Sequence, residues 1–266
     1  MWEFDGELDF RWVMGGLARK YGETYSDEEG AIGSGPDCYA DLMSHWLDVG
    51  GETGMPSDPR IWTENPLSST YPACIAVKAA CEQGWQAGYS YLRRVREGIF
   101  VGRRKLDHAE ALIAEAEPAG LEAERFRVDF ASDAILEAFS ADLDEVRDVP
   151  EQARAEGKTR RTEGHERVTF PSAVFVSAEG KRQEVWGWKP LEDYRDAALA
   201  AEARVVNDGP LEPLDAVARF GRITTKEAEV LSGKPSPVVC AELWNLAKDW
   251  RLRPVRALTG TVWESV

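Results

Sequence analysis

The sequence predicts an α/β chain with a long helical insertion and a small, mostly helical unit at its C-terminal end. Three observations predict it. A short apolar and aromatic run at residues 8–14 (LDFRWVM) stops at Gly15-Gly16, as a strand stops at a glycine turn. A helical block of about 75 residues follows, identified by caps and 3.6-residue spacing. Two strand-like runs at residues 168–177 and 183–188 flank the turn Ala178-Glu179-Gly180, and a helix follows them.

Each element has a local reason. Residues 21–60 are rich in Gly, Asp, Ser and Pro and read as irregular, with a short helix near residues 39–47. Pro72 follows Ser68-Ser69-Thr70, where a first helical turn tolerates proline. The spacing predicts one long helix over residues 73–97, softened at Gly84 and Gly88. Asp107 is placed to cap a helix carrying Leu112 and Ile113, and Ser132 to cap another. The helix after Ser132 is the most clearly amphipathic, with Ile135, Leu136, Phe139, Leu143 and Val146 on one stripe.

Residues 149–167 are charged and read as a solvated loop. Pro190 opens a helix to about residue 203, and Asn207-Asp208-Gly209-Pro210 breaks the chain. Beyond it come three short helices and a hairpin, with a capping box from Thr224 to Glu227. That shape is winged-helix-like. The expected divisions are therefore 1–60 with 168–206, an inserted helical domain at 61–150, a charged loop at 151–167, and a small unit at 210–266.

The bulk numbers exclude some functions. Formal net charge is −15, from 32 Lys and Arg against 47 Asp and Glu. Residues 210–266 hold eight basic and seven acidic residues, a net of +1, so the preceding residues carry −16. Nucleic-acid binding needs clustered cations, so none is expected. No apolar run reaches the ~18 residues of a membrane span, and the first residues show no basic or apolar leader. The expected location is the cytoplasm, with no membrane partner.

The four cysteines are Cys38, Cys74, Cys81 and Cys240, and no two are three apart. Cys74 and Cys81 share a predicted helix, roughly 10 Å apart at 1.5 Å rise per residue, too far for a disulfide. The three histidines are scattered. No metal or cofactor is expected. The basic run Arg93, Arg94, Arg96, Arg103, Arg104 and Lys105 reads as an ion-paired helix face.

Three stretches together resemble the DsbA-like thioredoxin family, including its FrnE-like and YjbH-like branches. Residues 8–17 resemble a core strand and its following loop. Residues 68–84 and 92–100 resemble the first inserted helix. Residues 169–194 (TFPSAVFV…GWKPLEDY) resemble the cis-proline strand, its partner strand and the last helix.

The resemblance implies a thioredoxin-like fold with an inserted helical domain. It implies that Pro171 is cis and that Thr169, Phe170, Pro171 and Trp188 bind an extended protein or peptide client. It also implies thiol–disulfide oxidoreductase chemistry, yet the chain has no Cys-x-x-Cys. In the family that motif precedes the strand matched by residues 8–14. Residues 1–6 correspond to the end of the first helix, so Met1 reads as a late start or the chain as a fragment.

No catalytic residue is therefore assigned, and Cys74 is the one candidate lone thiol. The first reading is an oxidoreductase-type protein inactive in dithiol exchange as written. The alternatives are a thioredoxin-fold adaptor that binds protein clients, and a glutathione-dependent isomerase or transferase. Trp186 and Trp188 flank Gly187 at the end of a predicted strand, and one is expected in the core and the other along a groove.

Overall fold

The order of elements explains how a two-stranded hairpin comes to rest on a helical body. A computed structural model describes residues 2–21 and 37–266; part of the irregular stretch read at residues 21–60 lies outside them. Residues 3–7 form turns, with Asp5 N–H donating to the Trp2 carbonyl and Glu7 N–H to Phe4, rather than a helix end.

The first helices are α1 (Cys38–Thr53), α2 (Ile61–Glu64), α3 (Tyr71–Cys81) and α4 (Trp85–Phe100). They are followed by α5 (Ala109–Ile113), α6 (Ala123–Phe130), α7 (Asp133–Arg147) and α8 (Glu151–Ala155). The helix at the start is longer than the short one expected near residues 39–47.

The single helix expected over residues 73–97 is two. Gly84 has φ 109°, a left-handed value that breaks the run, and the chain folds back on itself. Gly88 lets the two helices touch: a Cβ there would lie 2.4 Å from Cys81 Sγ. Ser132 caps α7 through Ile135 N–H, as its position predicts. Asp107 caps no helix; its Oδ2 accepts from Ser68 N–H at 2.5 Å, and His108 occupies the N-cap of α5.

The largest core joins α3 to α7. Ala76, Ala79, Ala80, Tyr91, Leu112 and Phe126 are buried in it, and Tyr91 Oη donates to the Leu112 carbonyl at 2.7 Å. Small residues on α3 permit this close approach, and a fully buried aromatic contributes about 2–3 kcal/mol.

Residues 8–14 form no strand. Their backbone groups are held by side chains instead of a ladder. Met14 N–H donates to Asp142 Oδ2 at 2.7 Å, and Lys78 Nζ bridges Asp142 at 2.9 Å and the Trp12 carbonyl at 3.3 Å. Trp12 stacks between Phe10 and Tyr89, at 5.4 and 5.9 Å. Aromatic packing and one buried ion pair fix the segment, a combination no local pattern encodes.

The charged loop expected at 151–167 is also ordered. After α8 come β1 (Thr159–Thr162) and β2 (His165–Val168), an antiparallel hairpin. Glu163 and Gly164 turn it with φ of 54° and 78°, as a two-residue hairpin loop demands. The Glu163 carboxylate anchors that turn, accepting from Arg19 N–H and Tyr71 Oη at 3.0 and 3.1 Å.

The second hairpin is β3 (Ala173–Val176) with β4 (Arg182–Val185), followed by α9 (Leu191–Ala200) against β4. Among the described residues β3 pairs only with β4.

The last unit runs α10 (Pro213–Phe220), β5 (Arg222–Thr224), α11 (Thr225–Ser232), α12 (Ser236–Lys248), β6 (Leu252–Arg256) and β7 (Thr261–Ser265). Its sheet order β5-β7-β6 is winged-helix-like. The Thr224–Glu227 capping box is present, and β5 is an added edge that the sequence pattern does not mark. The unit is clamped to the helical body. Arg93 binds Glu227 through two bonds of 2.7 and 3.0 Å and donates to the Arg222 carbonyl at 2.6 Å. Thr259 N–H donates to the Ser57 carbonyl, and Ser57 N–H to Thr259 Oγ1, at 3.1 and 2.7 Å.

Candidate client-binding edge

The Phe170–Pro171 peptide bond is cis, as the resemblance implies. It stands directly before β3, between the two hairpins. Thr169 N–H donates to the Lys158 carbonyl at 2.9 Å, which ties the approach to β1. Ser172 Oγ donates to the Thr169 carbonyl at 2.6 Å and accepts from Gly187 N–H at 2.9 Å, which ties it to the far side of β4. One hydroxyl thus holds the backbone on both flanks of Pro171.

The β3–β4 register pairs Ala173 with Val185. Trp186 is buried in a small core with Val146, Val149, Ala153 and Val168, while Trp188 is 50% exposed. Both lie beyond the end of β4, and Gly187 between them, at φ 69°, turns the backbone so that Trp186 is buried and Trp188 exposed. Val174 and Val176 are exposed on β3, at 39% and 56%. Together with Phe170, at 38%, they are exposed apolar side chains beside a strand that, among the described residues, pairs on one side only.

Phe170 is held from two sides. The Arg167 guanidinium lies 4.5 Å over its ring. Arg167 is itself buried, donating to Thr162 Oγ1 and to the Val168 carbonyl at 2.9 and 2.8 Å. From the other side Gly15 meets the ring so closely that a Cβ would sit 1.9 Å from Phe170 Cζ. Arg167 and Gly15 are the residues sequence reasoning missed. The available signals were a cation three residues before an aromatic and a glycine pair after residues 8–14.

The Thr169 hydroxyl is turned inward and buried without a hydrogen-bond partner among the described residues, beside the Gly187 backbone.

Cys74 does not join this edge. Burial pushes its thiol up to about 11, against a smaller opposing hydrogen bond from the Gly16 backbone. A thiol so placed stays protonated and unreactive at neutral pH. All four cysteines are free. Among the described residues no group of three or more His, Cys, Asp or Glu is placed to hold a metal ion, and no helix is long and apolar enough to cross a membrane.

Apart from Arg96, the basic run is engaged in ion pairs. Arg94 Nε lies 2.6 Å from Glu115 Oε2, Arg104 binds the same carboxylate, and Arg103 lies 2.8 Å from Glu64. A cleft of about 380 Å³ between β4 and α9 is lined by Glu156, Glu184, Asp193 and Asp196 against Lys189. Its excess of carboxylates offers an anionic tripeptide such as glutathione little to hold.

A family profile described as thioredoxin matches residues 3–150, more than half the chain. The chain belongs to the DsbA-like thioredoxin family. Curated relatives extend the match. A Bacillus cereus protein named ClpXP adapter protein SpxH is 30% identical over 85% of this chain and 71% of its own length. Its Bacillus subtilis namesake is 26% identical over 85% and 72%. A third, from Halalkalibacterium halodurans, is 34% identical over 41% of this chain and 36% of its own length.

A solved structure from Nitrosomonas europaea, provisionally described as a protein disulfide isomerase, superposes with a TM-score of 0.50 at 20% identity. It covers 68% of this chain and 78% of its own. At that identity it establishes the fold alone. These matches lend the glutathione reading no support, and they favour the adaptor reading over dithiol exchange.

Proposed function

We propose that this chain is a protein adaptor that binds an extended client segment along the β3 edge and delivers it to a ClpXP-type protease. One observation carries the reading: among the described residues the cis-Pro171 strand pairs on one side only, and Phe170, Val174, Val176 and Trp188 around it are exposed. A strand edge supplies main-chain donors and acceptors to an incoming segment, and alternate side chains supply selectivity. A short exposed edge also carries an aggregation hazard. Here the hazard is limited by length, since β3 has four residues and begins after a proline.

The relatives named as ClpXP adapters support the protease half of the proposal. The thiol inventory supports the rest. Desolvation holds the half-buried Cys74 thiol protonated, so binding rather than exchange is what this residue offers. Free thiols also suit the reducing cytoplasm, where we place the adaptor.

A proteolytically inactive ClpP, expressed with and without the chain, tests this. A defined set of proteins should enter the trap only when the chain is present. Trp188→Ala and Val176→Asp should empty the trap of that set while the variants fold normally. Clients retained by both variants, or insulin reduction by the purified chain, would contradict the proposal.

A further inference from the structure

The winged-helix-like unit carries a surface that the adaptor edge does not use. Helix α12 turns Pro237, Val238, Ala241, Trp244 and Asn245 toward solvent, with Val238 at 45% and Trp244 at 40% exposure. Just past its end Trp250 is 81% exposed, the most open large apolar side chain among the described residues. Scattered apolar residues need no explanation, but two indoles beside one helix end are a different matter.

The backbone at Trp250 adds an independent reason. Trp250 N–H donates to the Ala247 carbonyl at 3.1 Å and Arg251 N–H to Leu246 at 2.9 Å. That is a Schellman turn, whose left-handed position favours glycine. Here the position has φ 57° and holds tryptophan. A non-glycine residue in that region costs stability. Two unfavourable choices, a left-handed backbone and a solvated indole, thus coincide at one residue.

Charge sets the partner. Lys248, Arg251 and Arg256 are exposed and, among the described residues, form no ion pair; Arg256 lies 5.5 Å over the Trp244 ring. Asp249 is the one free carboxylate beside them, since Glu242 is bound by Lys234 at 2.8 Å and Glu264 by Arg253 and Arg222. This cationic, aromatic patch sits on a protein of net charge −15.

We infer that the α12 face with Trp244, Trp250, Lys248, Arg251 and Arg256 is a docking site for an acidic protein segment bearing apolar anchors. A nucleic acid fits less well. The outward face of the helix offers mainly apolar side chains, with Asn245 and Lys248 as its polar groups near the end, and the wing residue Thr259 is committed to Ser57. Direct readout in a groove needs donors on the helix and phosphate neutralisation needs a wider cationic field. The site lies on a different unit from Pro171, so either surface can fail without the other.

The test uses the full chain and a phage library of random 16-residue peptides, counter-selected on the Trp250→Gly chain. Enriched peptides should be net negative and carry Leu, Phe or Trp. The most enriched peptide, made synthetically and labelled, should bind at least tenfold more weakly to Trp250→Gly and to Arg256→Glu. Trp250→Gly should melt no lower than the parent, because glycine relieves the left-handed backbone, so lost binding is not lost folding. Absence of enrichment, enrichment of basic peptides, equal binding by the variants, or competition by a 20-base-pair duplex at stoichiometric concentration would each overturn the assignment.

Discussion

Replacing Gly15 with alanine is an unusually direct probe of how Phe170 is held. At most sites a glycine-to-alanine change with permissive backbone angles stabilises by about 0.4–1 kcal/mol, through the unfolded chain. Gly15 is not among the positive-φ glycines, so that gain is available. Against it stands the ring. A Cβ would lie 1.9, 2.4 and 2.7 Å from three ring carbons of Phe170, far inside van der Waals contact. The ring cannot slide toward Arg167, which already lies 4.5 Å over its centre and is buried. It must swing outward.

Phe170 is 38% exposed, so about 120 Å² of its roughly 200 Å² is covered. Exposing half of that costs about 1.5 kcal/mol at ~25 cal/mol per Å². Losing the cation–π contact adds about 0.5–1 kcal/mol. After the alanine gain the net is a loss of about 1–2 kcal/mol. Urea unfolding should therefore show a lower midpoint at unchanged slope. Client binding should weaken with it, because the displaced ring leaves the edge. A Gly15→Ala chain as stable as the parent, or more so, would refute this packing.

Other substitutions probe the remaining joints. Asp142→Ala strips the partner from Lys78, which is nearly buried, and orphans Met14 N–H; a loss of about 3–5 kcal/mol is expected by thermal or urea unfolding. Glu227→Ala removes both the capping box and the bidentate bond to Arg93. Burial pushes the Glu227 carboxyl up, yet its bonds to Arg93 and Thr224 outweigh this and hold it below the ordinary range. With the pair about a quarter exposed, a loss of about 2–4 kcal/mol is expected, and calorimetry should show the C-terminal unit melting separately. The half-buried Cys74 thiol, raised from 9.0 to about 11, favours the folded state only while protonated. Its contribution is full below about pH 9 and is lost as pH rises through 11; Cys74→Ala should remove that alkaline dependence in a stability-versus-pH series.

Local chemistry made part of this molecule legible. The Ser132 cap, the Thr224–Glu227 box and the stripe from Ile135 to Val146 each lie within about a dozen residues and report themselves. The order of motifs around Pro171 marked the cis bond, whereas the outward turn of Trp188 follows from Gly187, whose φ of 69° composition does not reveal. What stayed hidden depended on distant partners. Residues 8–14 have the composition of a strand, but Asp142 and Lys78 capture their backbone groups from across the chain. Residues 159–168 look like a solvated loop because their outward side chains are charged. The hairpin forms because Glu163, in a left-handed turn, is anchored by Arg19 and Tyr71. The break at Gly84 was read as a softening because composition does not reveal a φ of 109°. At the edge itself, the cis bond at Pro171 was legible from the motif, whereas Gly15 and Arg167 act through contacts that only the folded chain brings together.

The central claim is that clients lie along β3 beside Pro171, and photocrosslinking tests it most directly. A benzoylphenylalanine is placed at position 176, 188 or, as a control on α11, 230, where Val230 is also half exposed. Each chain is irradiated with a client recovered from the ClpP trap. The account predicts crosslinks from positions 176 and 188 to one short client segment and none from position 230. Crosslinks from 230 at equal yield, or none from 176 and 188 while the client is still delivered, would contradict it.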